Sequence, residues 1–250
     1  MSISIRSTTI DNKECLIHLP RKPNGYSVLI LGDRNHFVKE GNSLWKQHTV
    51  RSSVLSKLLN DGYTVFYFDQ GEAHWGSNQS VELSKRLVNY VLKTEIINEN
   101  IHIFAEGMGS LLAFPLLNDL NINVRSTILF NPCIYLTKQY EMEKSNRFFL
   151  KRFIQEMKEA YDIDESEVDV ICKNQTNDIH CIPYDIPIRI FQAVYQGAYS
   201  PDYHVYPFLE ERQKKQVDLS TTFFMPEKLM NQFSKDIIKF YKKNERKSNI

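Results

Sequence analysis

Hydrophobic and polar residues alternate along the chain in two distinct patterns. Short, nearly unbroken apolar runs such as YSVLILG, YTVFYFD and IHIFA predict strands that are buried on both faces. Between them lie segments such as SVELSKRLVNYVL, which repeat apolar residues at helical spacing. The two patterns take turns from residue 26 to residue 131. Because parallel strands require crossover connections, this alternation predicts an α/β protein with a mostly parallel sheet and helices on both faces.

Two segments depart from this alternation. At the start, SISIRSTTI and CLIHLP flank a polar turn and predict an antiparallel hairpin. Between residues 134 and 183 the strands stop, and NRFFLKRFIQEMKEAY predicts an amphipathic helix. We expect a single domain over residues 1–250, with residues 134–183 inserted in it as a helical lid or cap. The mixture of aromatic and basic residues in this helix would also suit a membrane surface or a partner, although a cap is the favoured interpretation.

Composition narrows the class of protein. The 250 residues carry 31 basic and 30 acidic side chains, so the net charge of +1 gives no general attraction to nucleic acid. The beginning of the chain lacks the apolar core of a secretory signal, and no apolar stretch is long enough for a transmembrane segment. The four cysteines have no metal-site spacing. We therefore predict a cytoplasmic protein without nucleic acid, metal or other cofactor.

The most informative segment is HIFAEGMGSLLAF, where a buried strand runs directly into a helix. This turn resembles the nucleophile elbow of the α/β-hydrolase family, whose usual form is G-x-S-x-G. The elbow needs small residues two positions before and two positions after the nucleophile, and Ala105 and Gly109 meet that need. Gly107 stands at the place of the nucleophile, and glycine has no side chain with which to attack a carbonyl.

The resemblance extends to two further segments. YTVFYFDQGEAHWGS is similar to the fourth strand of the family and its loop, and LILGD is similar to the third strand and its oxyanion loop. The resemblance covers roughly residues 15–243 and implies an α/β-hydrolase-like, lipase- or esterase-like fold. It also implies an oxyanion-type pocket formed by the backbone amides of Asp33 and Met108.

The same resemblance assigns positions to the other two members of a catalytic triad. The acid would follow the seventh strand at Gln196, or the sixth strand at Asn131, and the histidine would follow the eighth strand at Thr222. No histidine occurs after His204. The sequence thus predicts a triad that is degenerate at Gly107, Gln196 and Thr222, and it assigns no catalytic residue.

Two functions are compatible with these residues. The favoured hypothesis is a pseudoenzyme, a non-catalytic binding or adaptor protein whose pocket binds a small acyl- or carbonyl-bearing ligand or a protein partner. The alternative is an unconventional ester or acyl hydrolase or acyltransferase, in which Glu106 or His74 acts above the retained amides. His36 is a further candidate for the pocket, because it follows a strand at the carboxyl edge of the sheet.

Overall fold

An eight-stranded sheet runs through the computed structural model, which describes residues 4–174, 183, 185–194, 197–214 and 219–245. Across the sheet the strand order is β1-β2-β6-β3-β7-β8-β9-β10, and β4 and β5 form a separate short ribbon. The strands are β1 (Ser4–Ile10), β2 (Lys13–Leu19), β3 (Ser27–Leu31), β4 (Val38–Lys39), β5 (Asn42–Ser43), β6 (Thr64–Phe68), β7 (Ile101–Glu106), β8 (Val124–Phe130), β9 (Ile188–Ala193) and β10 (Leu219–Phe224).

The sheet begins with an antiparallel hairpin and continues with parallel strands. β1 pairs with β2 in antiparallel register, and β2 is antiparallel to β6. Every neighbouring pair from β6 to β10 is parallel. The hairpin turn consists of Asp11 and Asn12 with φ of 49° and 63°, a left-handed conformation that these two residue types tolerate. The predicted fold class is confirmed.

Helices cover both faces of the sheet, which explains the unbroken apolar strands. Adjacent residues such as Leu29 and Ile30 in β3 belong to two different buried clusters, because successive side chains point to opposite faces. None of the helices within the described ranges is both long and apolar enough to span a bilayer. The helices are α1 (Leu44–Gln47), α2 (Thr49–Asn60), α3 (Asn78–Thr94), α4 (Gly109–Leu117), α5 (Leu136–Glu143), α6 (Arg147–Tyr161), α7 (Glu165–Asn174), α8 (Val205–Lys214) and α9 (Ser234–Glu245).

Three helices, α5 to α7, fill the described part of the segment between β8 and β9. Phe153 and Met157 of α6 belong to a third apolar cluster, which also contains Met108 and Tyr199 from the carboxyl edge of the sheet. The insertion is therefore helical as predicted, and it packs on the edge where the elbow lies. Its role as a lid within a single domain stays a prediction.

Candidate functional site

The turn between β7 and α4 has the geometry of a nucleophile elbow. Gly107 has a φ of 54°, in the left-handed region, and α4 begins two residues later. A Cβ atom at position 109 would lie 2.3 Å from the carbonyl oxygen of Leu31, so only glycine lets α4 pack this closely on β3. This contact is the physical basis of the small-residue requirement at Gly109.

The side chain of Asp33 fills the space in front of Gly107. A Cβ atom at position 107 would lie 2.2 Å from Asp33 Cγ and 2.4 Å from each carboxylate oxygen. The Met108 amide donates a hydrogen bond of 3.1 Å to Asp33 Oδ1. The expected pocket was formed by the amides of Asp33 and Met108, whereas here the amide of one residue binds the carboxylate of the other. A carboxylate thus stands where the side chain of a nucleophile would project, at a helix N-terminus that favours negative charge.

Tyr199 completes this arrangement, and no motif in the sequence points to it. It follows β9 in the chain, and its hydroxyl donates a hydrogen bond of 2.7 Å to Asp33 Oδ1. The Tyr199 side chain is only 3% exposed, whereas Asp33 is partly exposed to solvent. Burial, together with the Asp33 carboxylate, raises the pKa of Tyr199 well above its usual value. The hydroxyl therefore stays protonated and remains a donor.

Glu106, one of the two predicted bases, is paired with Arg51. The Nε atom of Arg51 donates to Glu106 Oε2 at 2.9 Å, and its Nη2 atom donates to Oε1 at 2.6 Å. Burial raises the pKa of Glu106, and the guanidinium of Arg51 opposes that rise. Because both carboxylate oxygens are engaged in this bidentate pair, Glu106 does not present a free base.

His74 and His36 hold loops at the carboxyl edge of the sheet. Nε2 of His74 lies 3.2 Å from the carbonyl oxygen of Gly32, and its Nδ1 accepts a hydrogen bond of 3.1 Å from the Gly76 amide. Nδ1 of His36 lies 2.8 Å from Gln70 Oε1. Burial lowers the pKa of both imidazoles to about 4, so both are neutral at physiological pH. Both nitrogens of His74 are engaged, and neither ring has a hydrogen bond to Asp33 among the described residues.

The positions that the resemblance assigned to the acid and the histidine of a triad form no hydrogen bond with Asp33 among the described residues. Thr222 lies inside β10 rather than after it, and its hydroxyl accepts a hydrogen bond of 3.1 Å from Arg189. Asn131 uses its side-chain oxygen to accept a hydrogen bond of 2.8 Å from the Ala193 amide. Gln196 lies outside the described residues. The two described side chains thus tie strands together.

A cavity of about 470 Å³ opens beside Tyr199, between the loop after β9 and helices α5 and α6. Arg34, which follows Asp33 directly, lines it as well. The Arg34 guanidinium lies 4.8 Å from the centre of the Trp75 ring, and its Nη2 atom is 3.0 Å from Glu156 of α6. The wall of the cavity therefore contains the guanidinium of Arg34, held in place by these contacts, and Tyr199, which binds Asp33.

Solved structures with the same fold include esterases and related hydrolases. An esterase from Pyrococcus furiosus has a TM-score of 0.66 at 17% identity and covers 96% of this chain and 91% of its own. An S-formylglutathione hydrolase from Agrobacterium tumefaciens has a TM-score of 0.65 at 12% identity, over 98% and 95% of the two chains. The acylaminoacyl peptidase of Pyrococcus horikoshii has a TM-score of 0.71 at 11% identity, and the whole of this chain covers 43% of it. No protein-family model and no curated protein sequence matches this chain.

The sheet order, the elbow and these neighbours show that the chain has the α/β-hydrolase fold. The prediction of a non-catalytic binding or adaptor protein is wrong. The Pyrococcus furiosus esterase and the Agrobacterium tumefaciens S-formylglutathione hydrolase share the fold over nearly the whole of both chains, and the alternative, an unconventional ester or acyl hydrolase, agrees with them better. The cytoplasmic location stays a prediction.

Replacing Gly107 by serine is expected to lower the free energy of unfolding by about 2 to 3 kcal/mol. The new side chain overlaps the Asp33 carboxylate, and the serine backbone must keep the positive φ of 54° that Gly107 has. Adding Asp33→Ala removes the overlapping Cγ and carboxylate oxygens. We expect a favourable coupling of about 1 kcal/mol or more in the double-mutant cycle, measured by urea unfolding. Strictly additive losses would mean that the Asp33 side chain is not the obstacle at position 107.

Proposed function

We propose that this protein hydrolyses ester or acyl bonds and that the Asp33 carboxylate acts at the elbow in place of the missing serine. One observation carries the proposal: the carboxylate stands in the space that a side chain at position 107 would take, held there by the Met108 amide and the Tyr199 hydroxyl. Asp33 is partly exposed, and it lies next to the cavity, since it binds Tyr199 and precedes Arg34, which both line that cavity. Glu106, which the sequence suggested as a base, has both oxygens bound to Arg51.

In the proposed reaction Asp33 is a general base. Its Oδ1 atom accepts two hydrogen bonds, which leaves Oδ2 to take a proton from water as that water attacks the carbonyl carbon of the substrate. A carbon–oxygen bond forms, and the electron pair of the carbonyl double bond moves to oxygen. When the tetrahedral intermediate collapses, the bond to the leaving group breaks and the proton on Asp33 passes to the departing oxygen. The products are a carboxylic acid and an alcohol, and the Asp33 carboxylate is regenerated.

Positive charge near the developing oxyanion comes from Arg34 in this proposal. The guanidinium lines the same cavity as Tyr199, and its contacts with Trp75 and Glu156 hold it in place. A preorganised cation stabilises the charge that appears on the carbonyl oxygen without having to move during the reaction. Tyr199 acts as a positioning residue, because its hydroxyl orients the Asp33 carboxylate.

The test compares Asp33→Asn with Asp202→Asn, the same change on an exposed loop residue. With short and medium acyl p-nitrophenyl esters, we expect Asp33→Asn to lower kcat/KM by about 100-fold or more, since asparagine cannot take the proton. Asp202→Asn should stay within about twofold of the unmodified protein. Thermal unfolding of both variants checks that each is folded. Full activity in Asp33→Asn, or no turnover of any ester by the unmodified protein, would refute the proposal.

Turnover in heavy-oxygen water tests for a nucleophilic Asp33 whose acyl intermediate is opened by water at Asp33 Cγ. Direct attack by Asp33 would join its oxygen to the acyl carbon and release the alcohol, and water attacking the Asp33 Cγ would then leave heavy oxygen in the aspartate. A general base acquires none. We therefore expect mass spectrometry of the Asp33 peptide after many turnovers to find no label, and a labelled peptide would replace the base mechanism by a covalent one.

A further inference from the structure

The first two turns of α6 expose an apolar pair. Phe148 is 87% exposed and Phe149 is 52% exposed, whereas Phe153 is buried with its ring centre 4.7 Å from that of Trp75. Phe149 lies one turn before Phe153 at the half-exposed edge of the buried face, and Phe148 projects beside it into solvent, so the start of α6 presents two adjacent aromatic rings. Single exposed apolar residues are ordinary on a protein surface, but paired phenylalanines add apolar area at one place.

Basic side chains surround this pair. Arg147, Lys151 and Arg152 are all exposed, and with Phe148 and Phe149 they make up what is called here the α6 patch. No ion pair of Arg147 or Lys151 is found within the part of the chain that the structure describes. The first turn of α6 contains no acidic residue, although the helix dipole favours acids there. Arg152 pairs with Glu156 at 3.5 Å, and its guanidinium lies 5.6 Å from the centre of the Phe149 ring, so these two side chains are partly satisfied within the chain. Phe148, which is 87% exposed, and the exposed cations Arg147 and Lys151 are left to contact a partner.

The location of the patch connects it with the candidate active site. Phe149 and Arg152 line the same cavity as Tyr199, so the patch lies at its edge. The far end of α6 and the start of α7 carry the opposite charge, with Asp162, Asp164, Glu165 and Glu167 all exposed. A flat anionic surface would attract the first end of this helix pair and repel the second, which would orient the cavity towards that surface.

We propose that the α6 patch docks the protein on an anionic lipid bilayer and that its substrates are acyl esters held in that bilayer. The two phenylalanine rings enter the region between headgroups and acyl chains, and the basic side chains contact the headgroup anions. The aromatic pair favours a bilayer over a nucleic acid or an acidic peptide, because only the bilayer offers an apolar phase beside its charge. The substrate class rests on the proposed function, whereas the docking does not.

Flotation with lipid vesicles tests the docking. We expect the protein to bind phosphatidylcholine vesicles that contain about 30% phosphatidylserine, and to bind pure phosphatidylcholine at least about tenfold more weakly. Phe148→Ala/Phe149→Ala should lower the partition coefficient by about tenfold or more. The matched control is Ile96→Ala/Leu120→Ala, which removes side chains that are 100% and 98% exposed outside α6. That control should bind like the unmodified protein.

Four outcomes of these experiments would overturn the docking proposal. Equal binding to both kinds of vesicle, no binding to either, or binding that survives the phenylalanine changes would overturn the proposal. Self-association in sedimentation that needs Phe148 and Phe149, without vesicle binding, would assign the patch to a second copy of the chain and overturn it too. Asp33→Asn should float like the unmodified protein. A protein that floats but hydrolyses no ester would therefore refute the proposed function and leave the docking intact.

Discussion

Acidification from neutral pH to about pH 4.5 is expected to unfold this protein, because many of its histidines are buried in the neutral form. His18, His36, His74, His102 and His204 are each at most 3% exposed. Burial lowers the pKa of the first three to about 4 and that of the last two to about 3. These side chains have hydrogen-bond partners that suit a neutral ring, such as the Tyr67 hydroxyl 2.7 Å from His18.

The sign follows from the protons that each state binds. An unfolded histidine takes up a proton near pH 6.5, while the folded ones resist until the pH approaches their lowered pKa. The stabilisation is therefore complete above about pH 6.5 and is lost as the pH falls. Each such group contributes at most about 1.4 kcal/mol per pH unit, and less near its unfolded and folded pKa values, so five groups remove roughly 10 kcal/mol within two units, comparable with the whole stability of a domain. Glu106 and Glu156 act in the opposite direction, because burial raises the pKa of each and protonation relieves an unfavourable charge at low pH, but they are two groups against five.

Circular dichroism and urea unfolding at several pH values would measure this effect. The slope of the unfolding free energy below pH 6 gives the number of protons taken up, and His18→Gln should reduce that number by about one. His48 is exposed, so His48→Gln serves as the matched control and should leave the slope unchanged. A protein that stays folded to about pH 3.5 would contradict the expectation, because the stabilisation lost from the buried histidines below pH 6.5 would then be too small to unfold it.

The second large effect is expected from Gly109→Ala, which should cost about 3 kcal/mol or more of stability. The new Cβ atom would lie 2.3 Å from the oxygen and 2.6 Å from the carbon of the Leu31 carbonyl group. These are backbone atoms of β3, which is held between β6 and β7 and cannot yield. Alanine stabilises a helix by about 1 kcal/mol relative to glycine. The steric cost of the new Cβ atom is therefore the measured loss of stability plus this gain.

Gly197→Ala is the matched control for this change. Its Cβ atom would have no neighbour nearer than 3.6 Å, and we expect a change within about 0.5 kcal/mol. Urea unfolding compares the two variants, and ester hydrolysis gives a second measurement. If α4 moves away from β3, the Met108 amide moves with it and the hydrogen bond to Asp33 is lost. A stable and fully active Gly109→Ala variant would show that α4 does not depend on this contact.

Much of the fold follows from the sequence by local physical rules. A strand covered on both faces must be apolar at successive positions, as Leu29 and Ile30 are, so the sheet is visible as a pattern. The elbow is visible for a similar reason, because the approach of α4 to β3 excludes any side chain at Gly109. Each requirement restricts which residue type can occupy one position, so each can be recognised in the sequence.

The candidate site depends on contacts that no local rule determines. Asp33 and Tyr199 are 166 residues apart, and they meet because both follow strands that end at the same edge of the sheet. The sequence shows Glu106 and Arg51 as charged residues without showing that they bind each other. It predicted only a backbone amide from Asp33, whereas the structure brings its side chain to the Met108 amide. The sequence alone determined the α/β framework and the absence of a side chain at Gly107. The tertiary structure decided that the Asp33 carboxylate fills that space, because the hydrogen-bond partners of a side chain depend on which groups folding brings close to it.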